Sequence, residues 1–263
     1  LALVLARKNI QVALWDRDAD HIANLARDRE NKRHQPDHPF PESLQVAGDL
    51  AAAVAGANCG VMVVPSHGYR EIFRQLLPQL ADGTLVVSAV KGIEVDSGMT
   101  MTEIMAAENR GGKPLHFCVL SGPSFAAEVA DCQPTAVTAA CVDAQAAETV
   151  QQLFAAEYFR VYAASDVKGL EISSALKNVI AIGAGICDGL GYGLNTRAAL
   201  ITRGLAEITR MGVALGAQPQ TFAGLGGLGD LVLTCTGDLS RNRTVGLKLG
   251  SGLTLEEVLA QMT

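Results

Sequence analysis

At 263 residues, 49% hydrophobic and 18% charged, the chain is long enough to bury one large or two medium cores. Its formal net charge of −6, evenly mixed along the chain, argues against a nucleic-acid protein, which usually needs a basic face. No stretch reaches the ~18 uncharged apolar residues of a membrane span, the most apolar run being Val179 to Ile186.

The chain opens on LALVLARKN, which reads as the latter part of a helix. It has no basic segment or small-residue cleavage pattern, so no signal peptide is expected. QVALW (11–15) is then predicted as a strand and Asp18 to Arg29 as a helix. NKRHQPDHPFP (31–41) reads as a polar, proline-containing loop, with His34 and His38 on the surface. Strands are predicted at 60–65, 84–90, 116–120, 135–141 and 159–163, and helices at 69–77, 99–108 and 144–155. Near-continuous apolar strands spaced by helices imply an α/β fold, a doubly wound, mostly parallel sheet covered on both faces. After about Ser165 strand-like runs all but disappear. Helices are expected at 167–184, 196–215, 244–249 and 255–262, which sets a boundary near 164. The first strand and glycine turn of a dinucleotide fold are absent and the last residues stop inside a helical pattern, so the chain reads as trimmed at both ends. The six cysteines form no CxxC pair and read as reduced, buried thiols of a cytosolic protein. The histidines do not cluster with cysteines or carboxylates, so no metal is expected.

Five segments carry residue types suited to chemistry. Asp16 and Arg17 follow the strand QVALW, where an acid meets ribose hydroxyls and an arginine meets a 2′-phosphate. The mixture leaves NAD versus NADP open, and a solvated charge pair remains the plain alternative. VKG places Lys91 at a strand end, where an ammonium can meet an anionic substrate or simply lie on the surface. SGPSFAAEVA (121–130) follows another strand, with a helix opening at Pro123 or Ser124 whose free N–H groups suit an anion. Lys177 lies on an almost wholly apolar helix and should be buried, which is costly unless it is paired or functional. Burial draws a lysine towards neutral pKa and so suits it to proton transfer; snorkelling from a helix edge is the alternative. GLGGLGDLVLTCTGDLSRNR (224–243) delivers Asp230 into an apolar stretch, with Thr234 one helical turn on. Ser240, Arg241 and Asn242 then offer a phosphate grip or a solvated loop.

VVPSH, VKG, SGPSFAAE, LKNVIAIGAG, NTRAALITRGL and GLGDLVLTCTGDLSRNR, in this order from about Ala13 to Gly250, resemble bacterial NAD(P)-dependent glycerol-3-phosphate dehydrogenase. The resemblance implies a dinucleotide-binding domain over 1–164 and an all-helical substrate domain over 165–263, with the active site between them. It implies hydride transfer between NAD(P)H and dihydroxyacetone phosphate, giving sn-glycerol 3-phosphate for phospholipid synthesis in the cytoplasm, in a possible homodimer. By motif, Lys177 would be the catalytic acid/base and Lys91 would contact substrate and cofactor. Gly122, Ser124, Asp230, Ser240, Arg241 and Asn242 would meet the substrate. Arg17, Ala126 and Arg241 would meet the cofactor. The glycine fingerprint and the family's later glutamate segment are not in the sequence. Two rivals stand beside this reading, a β-hydroxyacid or 6-phosphogluconate type of dehydrogenase and a cofactor-binding sensor without turnover.

Overall fold

A computed structural model describes residues 1–262. It divides into two compact units. The first comprises Leu1–Val90, Glu94–Leu120 and Ser124–Ser165; the second takes the chain from Asp166 onward together with Lys91–Ile93 and Ser121–Pro123.

The first unit alternates strand and helix. In chain order it holds α1 (Ala2–Ala6), β1 (Val12–Leu14), α2 (Ala19–Asp28), β2 (Glu30–Asn31), β3 (Gln35–Pro39), β4 (Leu44–Val46), α3 (Leu50–Val54) and β5 (Cys59–Met62). There follow α4 (Tyr69–Leu76), β6 (Leu85–Ser88), α5 (Met101–Glu108), β7 (His116–Ser121), α6 (Ala126–Ala130), β8 (Thr135–Cys141), α7 (Ala144–Phe154) and β9 (Phe159–Ala164). Aspartates start three of the helices. Asp18, Asp49 and Asp143 each accept from backbone N–H groups of the first turn, which would otherwise lack a partner.

β5 to β9 form one five-stranded sheet in sequence order, with β5–β6, β6–β7 and β8–β9 parallel. Strand alternation sends successive side chains to opposite faces, and both faces are covered. Val87, Cys118 and Leu120 join a core with Val150 and Phe154 of α7. Val86 joins another with Tyr69 and Phe73 of α4 and Ile104 of α5. This is the doubly wound α/β architecture.

Three details differ from the sequence expectations. β1 pairs in parallel with β4 in a separate two-stranded sheet, and a cavity of about 490 Å³ opens between the ends of β1 and β5. The polar loop at 31–41 is largely a hairpin, in which β2 and β3 pair antiparallel. Pro36 and Pro39 sit in a two-stranded ribbon, where a missing N–H is tolerated. Asp37 turns through a left-handed φ of 66° while its N–H donates to Glu30. His38 is therefore not a surface residue; it is half-buried and pairs with Asp131 at 3.3 Å. Finally, Cys118, Cys141 and Cys235 are buried, but Cys59 and Cys187 are only partly so and Cys132 is exposed; all six are free thiols.

The second unit is helical: α8 (Val167–Gly189), α9 (Leu194–Ala214), α10 (Pro219–Phe222), a π-helical turn (Leu225–Gly229), α11 (Asp230–Thr236), α12 (Arg241–Gly250) and α13 (Leu255–Ala260). α8 is long and apolar enough to cross a bilayer by length and composition alone, but half of that window is buried inside the protein. Its Ile172, Ala181 and Ala184 pack with Ile208, Phe222, Leu231 and Cys235.

Candidate active site

α8 brings Lys177 into the centre of the helical unit, where only 5% of the residue is exposed. An unpaired ammonium there would be costly. The π-helical turn supplies its partner. Gly226 has no side chain because Leu170 of α8 occupies the space a Cβ would need, and Ser173 donates to the Gly226 carbonyl at 2.9 Å. The turn ends at Asp230, 1% exposed, whose Oδ1 lies 2.6 Å from Lys177 Nζ. Thr234 Oγ1 stands 2.7 Å from the same ammonium and donates its own proton to the Asp230 carbonyl, one turn back.

Lys91 completes the cluster from the segment after β6. Its Nζ reaches Asp230 Oδ2 at 2.7 Å and the Gly122 carbonyl at 3.3 Å. One buried carboxylate thus holds two ammonium groups, one on each oxygen. Lys177 is pushed down from 10.5 to about 8, first by burial and then by the positive charge of Lys91, with Asp230 opposing both. A group with that value exchanges a proton near neutral pH, as a general acid or base must. Lys91 is less buried, with about a quarter of its side chain exposed.

The SRNR segment resolves into distinct roles. Ser240 is buried and caps α12, its Oγ accepting from the Arg243 N–H at 3.2 Å. Arg241 and Asn242 begin the helix; Arg241 is exposed and makes no ion pair among the described residues. Arg243 is committed elsewhere, its Nε 2.9 Å from Asp188 and its Nη1 2.8 Å from Asp238. An unengaged guanidinium at a helix N-terminus is suited to an oxyanion.

In the first unit, Arg17 is exposed after β1, with its guanidinium against Gly68. It lines the cavity between β1 and β5 with Trp15, Asp16, Val64 and Pro65. A largely apolar cleft at strand C-terminal ends, with the Arg17 guanidinium on its rim, fits the adenosine end of a dinucleotide. Ser124 is half-buried and Ala126 exposed. The helix expected to open at Pro123 or Ser124 starts only at Ala126 and runs for five residues, because the backbone stays extended through Phe125. Lys91, Lys177 and Asp230 are therefore in direct contact, with Gly122 beside them. Thr234 joins this cluster; in the sequence the signal for it is its spacing of one helical turn from Asp230.

A parallel sheet wound on both faces, followed by a helical unit with a buried lysine of lowered pKa, has the equipment of a dinucleotide-dependent oxidoreductase. Comparison with known proteins narrows this. Residues 1–147 match the NAD-dependent glycerol-3-phosphate dehydrogenase N-terminus and residues 166–263 its C-terminus. The glycerol-3-phosphate dehydrogenases (NAD(P)+) of Desulfotalea psychrophila and Geobacter metallireducens are each 54% identical over 100% of this chain and 78% of their own length. The crystal structure of glycerol-3-phosphate dehydrogenase from Coxiella burnetii superposes with a TM-score of 0.95 at 40% identity, covering 100% of this chain and 79% of that one. The chain belongs to the NAD(P)-dependent glycerol-3-phosphate dehydrogenase family, an enzyme family. Neither the β-hydroxyacid type nor a sensor without turnover is favoured.

Proposed function

We propose that this chain interconverts dihydroxyacetone phosphate and sn-glycerol 3-phosphate with NAD(P)H, and that Lys177 is its acid/base. The observation that carries the reading is the buried Lys91–Asp230–Lys177 cluster, with 2.7 and 2.6 Å contacts. When bound, the reduced nicotinamide supplies a hydride to the carbonyl carbon. Lys177 donates a proton to the carbonyl oxygen, and in the reverse direction it takes the proton of the C2 hydroxyl. Negative charge growing on that oxygen is stabilised by ammonium groups already oriented in a desolvated site. Asp230 fixes both lysines, and Lys91 adds positive field while lowering the proton affinity of Lys177. Arg241 and Asn242, with Ser240 holding their turn, grip the phosphate, and Gly122 and Ser124 border the substrate. Remote binding energy then orients the ketone. By motif, Arg17, Ala126, Lys91 and Arg241 are the residues assigned to the cofactor.

The product's place as the glycerol backbone of phospholipids, a cytoplasmic location and a homodimeric assembly belong to the same proposal. The family membership supports them. The test is a steady-state assay of ketone reduction, with cofactor affinity measured separately by fluorescence. Lys177→Ala is expected to lower kcat by about 100-fold or more with cofactor affinity within twofold. Near-parental turnover would remove Lys177 from the chemistry.

A further inference from the structure

α8 and α12 are in backbone contact through four glycines. A Cβ at Gly185 or Gly189 would overlap backbone atoms of Arg243, Leu247 or Gly250, and one at Gly246 or Gly250 would overlap the carbonyl of Ile182 or Ile186. The helices run parallel, with Gly246 beside Ile182 and Gly250 beside Ile186. Gly185 and Gly189 pack in turn against Gly246 and Gly250, and that register, carried back towards both N-termini, puts Arg241 about one turn beyond the level of Lys177. A second device holds the start of α12. Asp188, on α8, takes Arg243 Nε on Oδ2 at 2.9 Å and Arg197 Nε on Oδ1 at 2.9 Å. Its side chain is 8% exposed and that of Arg243 15%. Arg243 directly follows the two gripping residues, and its N–H is capped by Ser240. α8 thus carries the proton-transfer group and, about three turns on, the anchor for α12.

We propose that Asp188 and Arg243, with the glycine contact at Gly246, are positioning residues that fix the spacing from Lys177 to Arg241 and so set the substrate length the enzyme accepts. This rests on the proposed reaction. A backbone-to-backbone contact has no side chains to repack, so the spacing cannot stretch without cost. The ion pair aligns the first turn of α12, where a phosphate on a three-carbon ketone would be held. A ketone with one more methylene between carbonyl and phosphate would strain one end or the other.

The experiment compares dihydroxyacetone phosphate with 4-hydroxy-3-oxobutyl phosphate, its homologue with that extra methylene, in the intact enzyme. The variants are Asp188→Asn, which keeps side-chain shape, and Gly246→Ala. Melting temperature and cofactor affinity are read in parallel. For Asp188→Asn the expected result is a KM for dihydroxyacetone phosphate raised about tenfold, with kcat within about threefold and cofactor affinity unchanged. In both variants the kcat/KM preference for the shorter ketone should fall at least fivefold. Should Gly246→Ala fail to fold, Asp188→Asn alone decides. A lower melting temperature with unchanged length preference, or an equal loss on both ketones, overturns the proposal. A parental enzyme that reduces neither ketone refutes the proposed reaction instead.

Discussion

At the scale of single residues, the sequence exposes a buried charge more readily than its partner. Lys177 stands out because the surrounding helix is apolar, and it is indeed buried. Its neighbours are not legible in the same way, since Asp230 and Lys91 are 53 and 139 positions apart in sequence from the groups they meet. SRNR offers two arginines that the sequence cannot separate. Only the positions of Asp188 and Asp238 show that Arg243 is occupied, while Arg241 has no ion-pair partner among the described residues. From this division, Arg241→Ala should raise KM for dihydroxyacetone phosphate far more than KM for NADH, through loss of a charged hydrogen bond worth roughly 1.5–3 kcal/mol. Steady-state kinetics on both substrates decides it; equal effects would assign Arg241 to the cofactor or the fold. The lowered value of Lys177 also affects stability. Its folded value lies below the unfolded one, so the unfolded chain binds more protons between about 8 and 10.5. That group's contribution to stability therefore rises with pH across this window.

Among the elements, long periodic helices were legible and irregular ones were not. The expected helix at 167–184 extends to Gly189, because small residues near its end allow close approach to α12 rather than ending the helix. The hairpin at 30–39 is hidden by its prolines, and the π-helical form of the segment before Asp230 by its glycines, which read as a plain turn. That turn is tightly packed. Gly227→Ala would drive a Cβ into the backbone of Phe222, and overpacking of this kind costs roughly 1–3 kcal/mol. Denaturant unfolding of the variant should show a lower midpoint with an unchanged slope. No change in the midpoint would mean that the turn relaxes freely and does not fix Asp230.

On the scale of the whole molecule, the alternation of strands and helices followed by helices alone was enough to read the fold class. The separation of β1–β4 from the five-stranded sheet was not, since pairing partners depend on strands far apart in sequence. The packing of Lys91–Ile93 and Ser121–Pro123 with the helical unit was hidden for the same reason. Cofactor choice belongs to this scale, because it depends on the cleft that β1 and β5 build around Arg17. With Arg17 exposed and without an ion-pair partner among the described residues, and Asp16 engaged by the Asp18 N–H, both cofactors should work, NADPH at least as well as NADH. In Arg17→Ala the ratio of kcat/KM for NADPH over NADH should fall, as loss of a guanidinium facing a 2′-phosphate requires. An unchanged ratio would point to Asp16 instead.

The central claim is that Lys177, lowered by burial and by Lys91, delivers the proton. The pH dependence of kcat for ketone reduction tests it most directly, compared between the parent and Lys91→Met. Reduction needs the ammonium form, so kcat should be level below and fall as pH rises through about 8. Removing the neighbouring positive charge raises the proton affinity of Lys177, so in Lys91→Met the falling limb should move to higher pH, whatever its absolute rate. A limb that stays in place, or is absent from the parent, would contradict the assignment of Lys177 as proton donor.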